Sequence, residues 1–372
     1  MIKVGITGQD GFVGTHLYNI LSLYKDEFEL VPFNRSCFEK EDQMDAFVQQ
    51  CDAIVHLAAM NRHTDANVIY QTNIGLVQSL VASLKRTNAK PHIIFSSSTQ
   101  EEKDNPYGKS KREGRELLVN WSQEAGAAVT GMIIPNVFGP FGMPFYNSVV
   151  ATFCTQVAKG EIPEIHIDGV LKLIYVGELV QEIINVIRNK VAAPNYIVQR
   201  TAEAKVSQIL SLLQKYKAEY QDKGIIPALA NTFELNLFNT YRCYMDIAQH
   251  FPVKFTQHTD PRGAFVEVIR LGMGGQVSFS TTVPGITRGN HFHTRKIERF
   301  AVIKGQALIQ LRRIGTDKVL NFELSGDEPA YVDMPVWYTH NIKNTGTEDL
   351  YTIFWINEFY NPEDPDTFFE NV

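Results

Sequence analysis

A chain of 372 residues with 44% hydrophobic and 20% charged residues has the make-up of a globular protein and is long for a single core, so two domains are expected. The formal net charge of −6 excludes a general binder of nucleic-acid backbone, which needs a basic excess, but leaves room for a local basic pocket around a phosphorylated small molecule. No apolar run approaches the ~20 residues of a membrane span. The N-terminus lacks the charged and apolar regions of a signal peptide, and Cys37, Cys51, Cys154 and Cys243 show no paired spacing, so free thiols, a cytoplasmic location and no membrane insertion are expected.

In chain order, strand-like runs are predicted at 2–7, 28–33, 53–58, 92–97, 129–135 and 196–199, with helical patterns at 13–24, 67–86 and 109–124 between them. Strand and helix in alternation predict an α/β domain with a doubly wound, Rossmann-like parallel sheet. Residues 205–250 read helical, with Val206, Ile209, Leu210, Leu212 and Leu213 on one face. After residue 252 the texture changes to short β-branched and aromatic runs, separated by turn signals such as Pro261-Arg262-Gly263, Pro284-Gly285 and Ser325-Gly326. That pattern predicts an all-β sandwich or barrel. The domain boundary is placed at 248/249.

The first strand runs into Gly8-x-x-Gly11-Phe12-Val13-Gly14, and the third into Leu57-Ala58-Ala59. Glycines directly after a strand let backbone approach a pyrophosphate at a helix N-terminus, so these residues are candidate cofactor contacts. Asn105-Pro106 reads as an N-cap and first helical position, and the helix that follows stacks Tyr107 and Lys111 on one face. There the ammonium is expected to lower the phenol pKa and let Tyr107 trade protons with a carbonyl or alcohol. Ser96-Ser97-Ser98 ends a strand and offers a hydroxyl to the same oxygen.

These residues resemble the extended short-chain dehydrogenase/reductase family, which acts mostly on nucleotide-linked sugars. The resemblance implies Ser98, Tyr107 and Lys111 as the catalytic set. Ser98 stands close to Tyr107 for that family, so Ser97 and Thr99 remain candidates. It also implies that Asn136, in Pro135-Asn136-Val137-Phe138-Gly139-Pro140, contacts the substrate and its nucleotide. After the second strand the chain reads Phe33-Asn34-Arg35, with no acidic residue for a ribose hydroxyl. Arg35 suits a 2′-phosphate, so NADPH is the expected cofactor.

In the second domain His291-x-His293-x4-Glu298 precedes His340. His291 and His293 share a face if they lie on a strand, and three imidazoles with a carboxylate inside a barrel make a divalent first-row metal site. The pattern resembles the cupin superfamily and implies a jelly-roll barrel; Trp337 departs from it where glycine is usual. Asp260–Glu267 with Arg288-Gly289 resembles the cupins that epimerise keto-sugar nucleotides, which implies that Arg262 and Arg288 hold a diphosphate. In that metal-free subgroup the histidine matching His291 acts as base, a role that competes with metal ligation. Across its length the chain is similar to the bifunctional capsular-polysaccharide enzymes. That resemblance implies C3 epimerisation of a UDP-linked 4-keto-6-deoxy amino sugar, then C4 reduction to UDP-N-acetyl-6-deoxy-L-talosamine on the route to UDP-N-acetyl-L-fucosamine. It also implies zinc and a homodimer.

Overall fold

The apolar run that opens the chain forms the first of nine strands that alternate with helices in the N-terminal half: β1 (Ile2–Thr7), α1 (Phe12–Leu21), β2 (Phe28–Val31), α2 (Glu41–Gln50), β3 (Ala53–His56), α3 (Ala66–Thr87), β4 (His92–Ser98), α4 (Pro106–Ala125), β5 (Val129–Ile134), β6 (Asn136–Phe138), α5 (Val149–Ala158), β7 (Val170–Tyr175), α6 (Val176–Arg188), β8 (Ala193–Ile197) and β9 (Ala202–Lys205). The computed structural model describes residues 1–372, and contacts divide it into two units, Met1–Thr152 with Asp168–Val206 and Phe153–Ile167 with Ser207–Val372.

In the first unit six strands form one sheet in the order β2-β1-β3-β4-β5-β8, with every neighbouring pair parallel. Val4, Ile6, Ile54, Val55, Ile93 and Ile94 are buried, as continuous apolar strands covered on both faces must be. The strand order reverses between β1 and β3. Ligands of open α/β sheets bind at such a switch point, outside the carboxyl ends of the strands. Gly8 follows β1 there and Leu57 follows β3. A smaller sheet, β6-β7-β9, completes the unit.

The second unit contains α7 (Val206–Tyr216) from Ser207 onward, α8 (Thr232–Arg242), α9 (Ile247–His250), β10 (Val253–Lys254), β11 (Gln257–Asp260), β12 (Gly263–Val266), β13 (Gln276–Thr282), β14 (Thr287–Phe292), β15 (Glu298–Lys304), β16 (Gln306–Arg313), β17 (Val319–Ser325), β18 (Ala330–Met334), β19 (Tyr338–Asn344), β20 (Leu350–Ile356) and β21 (Phe368–Phe369). Two five-stranded antiparallel sheets, β10-β18-β15-β20-β13 and β17-β16-β19-β14-β21, carry the fold, with β11 and β12 as a separate hairpin. This is consistent with the cupin-like jelly roll expected. Ala301, Val302, Val332 and Leu350 of one sheet and Ile309, Leu311, Phe322 and Ile342 of the other share one core cluster.

Composition and contacts divide the chain differently. Residues 207–248 read as part of the first domain, yet they group by contact with the β-rich unit. Ile247 and Phe251 join its core cluster, and Tyr220 and Arg242 make buried hydrogen bonds to residues of β18.

Candidate functional site

At the carboxyl end of β1 the chain turns on Gly8 (φ 75°), where a Cβ would stand 2.8 Å from Ala58 N. Only glycine lets the first turn press against the backbone after β3. Gly14 is fixed by the same turn, since a Cβ there would lie 2.2 Å from Gly8 O. Helix α1 then begins at Gly11 with neither a side-chain cap nor an acidic residue in its first turn. Its first N–H groups and positive dipole end are therefore open to an anion, so these residues fit a dinucleotide pyrophosphate. Arg35 is exposed just after β2, with Ser36 N–H donating to Asn34 Oδ1 at 3.0 Å in the same turn.

Helix α4 carries the second half of this site. Gly108 N–H donates to the Asn105 cap at 2.8 Å and Pro106 occupies the first turn, as expected. Lys111 is buried, donates to Ser96 O at 2.9 Å, and stands 5.8 Å from the Tyr107 ring centroid. Strand alternation sends Ser96 and Ser98 to one face of β4 and Ser97 to the other. Ser97 donates to Glu101, which pairs with Arg115 at 2.7 Å, so its hydroxyl is committed to that network. Ser98 Oγ accepts from Gln100 N at 3.2 Å and remains half-buried; Thr99 is exposed.

The electrostatics correct one expectation. Burial, with Tyr146 adding to it, pushes the Tyr107 phenol up to about 12, and burial pushes the Lys111 ammonium down to about 8. The phenol is held protonated, as a proton donor to a developing alkoxide must be.

Two residues of this region escaped the sequence reading. Asn73, buried on α3, accepts from Met60 N at 2.7 Å and donates to Met60 O at 3.0 Å and Ser110 Oγ at 3.1 Å. Ser110 donates in turn to Tyr107 O at 2.7 Å, tying the turn after β3 to the start of α4. An asparagine inside a helical pattern was the only available signal. Asn136 begins β6, exposed, and donates to Lys172 O at 3.2 Å.

In the second unit His291, His293, Glu298 and His340 do converge, with their ligand atoms within 4.8 Å of one another. His291 lies on β14 opposite His340 on β19, past an irregularity after Gly289, and His293 immediately follows β14. Glu298 opens β15 in the facing sheet. His293 Nδ1 lies 2.5 Å from Asp366 O and His340 Nδ1 lies 3.2 Å from Tyr338 O. Carbonyl oxygens only accept, so both Nδ1 atoms carry the proton, and a neutral imidazole then presents an Nε2 lone pair. Both Nε2 atoms lie 3.1 Å from the same Glu298 oxygen, and His340 Nε2 has no hydrogen-bond partner. Acceptors converging on acceptors in a buried site require a cation between them or charged imidazoles, so the donor set fits a divalent metal.

In the charged-imidazole alternative, burial tends to raise the Glu298 carboxyl, but His293 and His340 overcome it and hold that group well below the usual carboxylate range; a cation in the same place acts in the same direction. Burial, with the neighbouring His340 and His293, lowers His291 to about 4. A neutral His291 is suited to ligation.

Trp337, standing where glycine is usual, adopts φ +65°; its N–H donates to His293 O at 2.8 Å and its ring stacks on Phe292 at 5.6 Å. The arginines are not gathered with the cluster in the same way. Arg288 is exposed on β14, while Arg262 lies on the β11–β12 hairpin and pairs with Asp260.

Comparison with known proteins agrees with both halves. Residues 4–198 match the model of the NAD dependent epimerase/dehydratase family, and residues 258–368 match the polysaccharide biosynthesis C-terminal domain. The chain belongs to the NAD dependent epimerase/dehydratase family, in a form that carries the polysaccharide biosynthesis C-terminal domain on the same polypeptide. It is 32% identical to the UDP-2-acetamido-2,6-beta-L-arabino-hexul-4-ose reductase of Pseudomonas aeruginosa, over 99% of this chain and 98% of that one. The crystal structure of the capsular polysaccharide assembling protein CapF from Staphylococcus aureus aligns over 100% of both chains, at 36% identity and a TM-score of 0.65. The spore coat polysaccharide biosynthesis protein SpsL of Bacillus subtilis is 28% identical over 30% of this chain and 82% of its own length. No helix is long and apolar enough to cross a membrane.

Proposed function

We propose that the chain is a bifunctional sugar-nucleotide enzyme. Residues 249–372 epimerise C3 of UDP-2-acetamido-2,6-dideoxy-4-hexulose, and residues 1–248 reduce its C4 ketone with NADPH to UDP-N-acetyl-6-deoxy-L-talosamine, on the route to UDP-N-acetyl-L-fucosamine for a surface polysaccharide. The observation that carries this reading is the likeness to a hexul-4-ose reductase over 99% of the chain, spanning both candidate sites. The family resemblance adds zinc as the metal, a homodimer and a cytoplasmic location to the proposal.

NADPH, when bound, supplies the hydride that reduces C4. Gly8, Gly11, Phe12, Val13 and Gly14 bind the pyrophosphate side of that cofactor, Leu57, Ala58 and Ala59 line the turn opposite, and Arg35 takes the 2′-phosphate. Tyr107 gives its phenolic proton to the C4 oxygen as negative charge builds there. Lys111 offsets the resulting phenolate, and Ser98 orients the oxygen. Ser98 is preferred to Ser97 because Glu101 occupies the Ser97 hydroxyl. Asn136, Arg262 and Arg288 are the proposed contacts to the sugar nucleotide.

A divalent ion held by His291, His293, Glu298 and His340 would supply Lewis-acid stabilisation of the charge that develops when the C3 proton leaves. With His291 among the ligands, another group of the chain moves that proton. Epimerisation precedes reduction, because reduction removes the ketone that makes the C3 proton acidic.

Incubation with the 4-keto sugar nucleotide in D2O without NADPH is expected to place deuterium at C3; adding NADPH is expected to give the talosamine product by NMR. A reduced product with unchanged C3 and no exchange would leave a reductase whose second unit is a structural metal module. Four protein ligands favour that second reading, since they close a tetrahedral site. His291→Asn separates the two: C3 exchange retained in the folded variant rules out metal-dependent epimerisation. Arg35→Ala tests the cofactor assignment. Its KM for NADPH is expected to rise about 10-fold or more, the worth of one charge-assisted contact, with KM for NADH unchanged.

A further inference from the structure

Beyond β20 the chain continues to Val372 in a segment to which neither reaction assigns a role, yet this segment is bound to every strand that carries a histidine of the cluster. β21 pairs antiparallel with β14, matching Phe369 to His291 and Phe368 to Phe292. Glu370 N–H donates to Asn290 O at 3.0 Å, and Thr339, the residue before His340, donates its hydroxyl to Glu370 O. Arg312 donates to Glu370 Oε1 at 2.9 Å and to Asn371 O at 2.5 Å.

Asp366 sits at the centre of this arrangement, 3% exposed and at φ +40°, a left-handed backbone that aspartate tolerates better than most residues. Its Oδ1 accepts from Thr294 N at 3.0 Å and Thr294 Oγ1 at 2.7 Å. Its Oδ2 accepts from Arg295 N and Lys296 N, each at 3.0 Å. These donors form the turn between His293 and Glu298, two of the four clustered side chains. Three consecutive backbone N–H groups directed at one carboxylate make an anion-binding nest, which fixes the turn's conformation without a basic side chain. The same residue's carbonyl takes the Nδ1 proton of His293.

We propose that Asp366 is a positioning residue for the metal cluster: it sets the turn that spaces His293 from Glu298 and fixes the tautomer that aims His293 Nε2 at the metal. The C-terminal segment thereby sets metal affinity. This inference rests on the reading of His291, His293, Glu298 and His340 as a divalent-metal site. A hydrogen bond from the free ring nitrogen of a metal ligand to a carbonyl raises its basicity and orients the ring, and loss of such a partner costs about 10–100-fold in metal affinity.

The test uses the full-length chain, stripped with a chelator and titrated with Zn2+ alone, then Co2+ alone, against a chromophoric competitor. Asp366→Asn keeps the shape and the left-handed preference, but its NH2 cannot accept, so at least one backbone N–H of the turn is orphaned. It is expected to weaken Zn2+ binding about 10–100-fold and shift the Co2+ ligand-field spectrum. Thr294→Val removes only the hydroxyl contact and is expected to weaken binding less, in the same direction; it reads the inference even if Asp366→Asn fails to fold. His340→Ala tests the underlying site: if it binds metal as tightly as the unaltered chain, the cluster reading itself falls. If His340→Ala loses metal while folded Asp366→Asn and Thr294→Val keep unaltered affinity and an unaltered Co2+ spectrum, the metal site stands and the role of Asp366 is overturned.

Discussion

Tyr107→Phe is expected to lower kcat for NADPH-dependent reduction of the 4-keto sugar nucleotide by about 10²–10⁴-fold, the usual contribution of a positioned general acid. NADPH affinity and melting temperature should change little, because the substitution keeps the ring and no hydrogen bond of its hydroxyl supports the fold. The pH profile makes the assignment sharper. With the Tyr107 phenol raised to about 12 by burial, the acid is fully protonated at neutral and moderately alkaline pH. The group that titrates in the working range is Lys111, lowered to about 8 by burial. Its ammonium is present below that value and lost above it, and only the charged form offsets a phenolate. The rate is therefore expected to fall as pH rises through about 8, well before the tyrosine ionises. Lys111→Met should remove that descending limb and lower the rate at pH 7. A limb retained in Lys111→Met would assign the titration to another group, and Tyr107→Phe turnover near that of the unaltered chain would remove Tyr107 from the acid role.

Much of this site was legible because its parts are local. β1 and the glycine turn are contiguous, and Tyr107 and Lys111 lie one helical turn apart, so spacing alone places them. The start of α4 at Pro106 follows from its cap and proline. Legibility failed where one residue's environment depends on distant burial. The ammonium was expected to depress the phenol, but both groups are buried and Lys111 is bonded to Ser96 O, so burial outweighs the pairing. Helix α2 went unpredicted because only Met44, Phe47 and Val48 of its ten residues are buried, too short an apolar stripe to stand out in a polar stretch. The small sheet β6-β7-β9 is not legible for a similar reason: Asn136 and Val137 of β6, residues 170–172 of β7 and all of β9 but Ala204 are not buried, so these strands carry little apolar pattern.

The second unit follows the same rule. The convergence of His291, His293, Glu298 and His340 could be read from residue type and spacing, and the strand-and-turn texture implied a β fold. The part played by Asp366 could not be read, since an aspartate after a proline near the C-terminus carries no pattern until β21 folds back onto β14. The stretch 205–250 reads as helical, and α7 and α8 are helices; Val206, Ile209, Leu210 and Leu213 of the expected apolar face are buried, while Leu212 is only half-buried. Which unit those helices join was not legible, because periodicity gives the direction of an apolar face but not the surface that covers it.

The residues that join them support the second large prediction. Asp333→Asn is expected to destabilise the β-rich unit by about 3–5 kcal/mol, the cost of removing one partner from a buried ion pair. Asp333 and Arg299 are opposed across β18 and β15, and both are nearly inaccessible. The guanidinium grips the carboxylate at 2.7 and 2.9 Å, donates to Gly224 O at 3.0 Å, and lies 3.7 Å over the Tyr331 ring. Tyr220 donates to the same carboxylate at 2.8 Å, and Arg242, also buried, donates to Tyr220 Oη at 3.2 Å and Met334 O at 2.9 Å. One buried guanidinium thus grips the carboxylate directly and a second reaches it only through Tyr220, so neutralising the carboxylate leaves the Arg299 charge uncompensated. For a unit of roughly 150–250 residues this corresponds to a fall of about 6–20 °C in its thermal transition, measurable by calorimetry on the full chain. The double variant Asp333→Leu with Arg299→Met should recover much of the loss, because a well-packed apolar pair avoids the desolvation cost that the charges carry. Equal melting of Asp333→Asn and the unaltered chain would show that the network stabilises nothing. The effect reaches the histidine–glutamate cluster through β15. Glu298 and Arg299 are adjacent on that strand and point to opposite faces, so the ion pair on one face anchors the strand that carries the Glu298 carboxylate on the other.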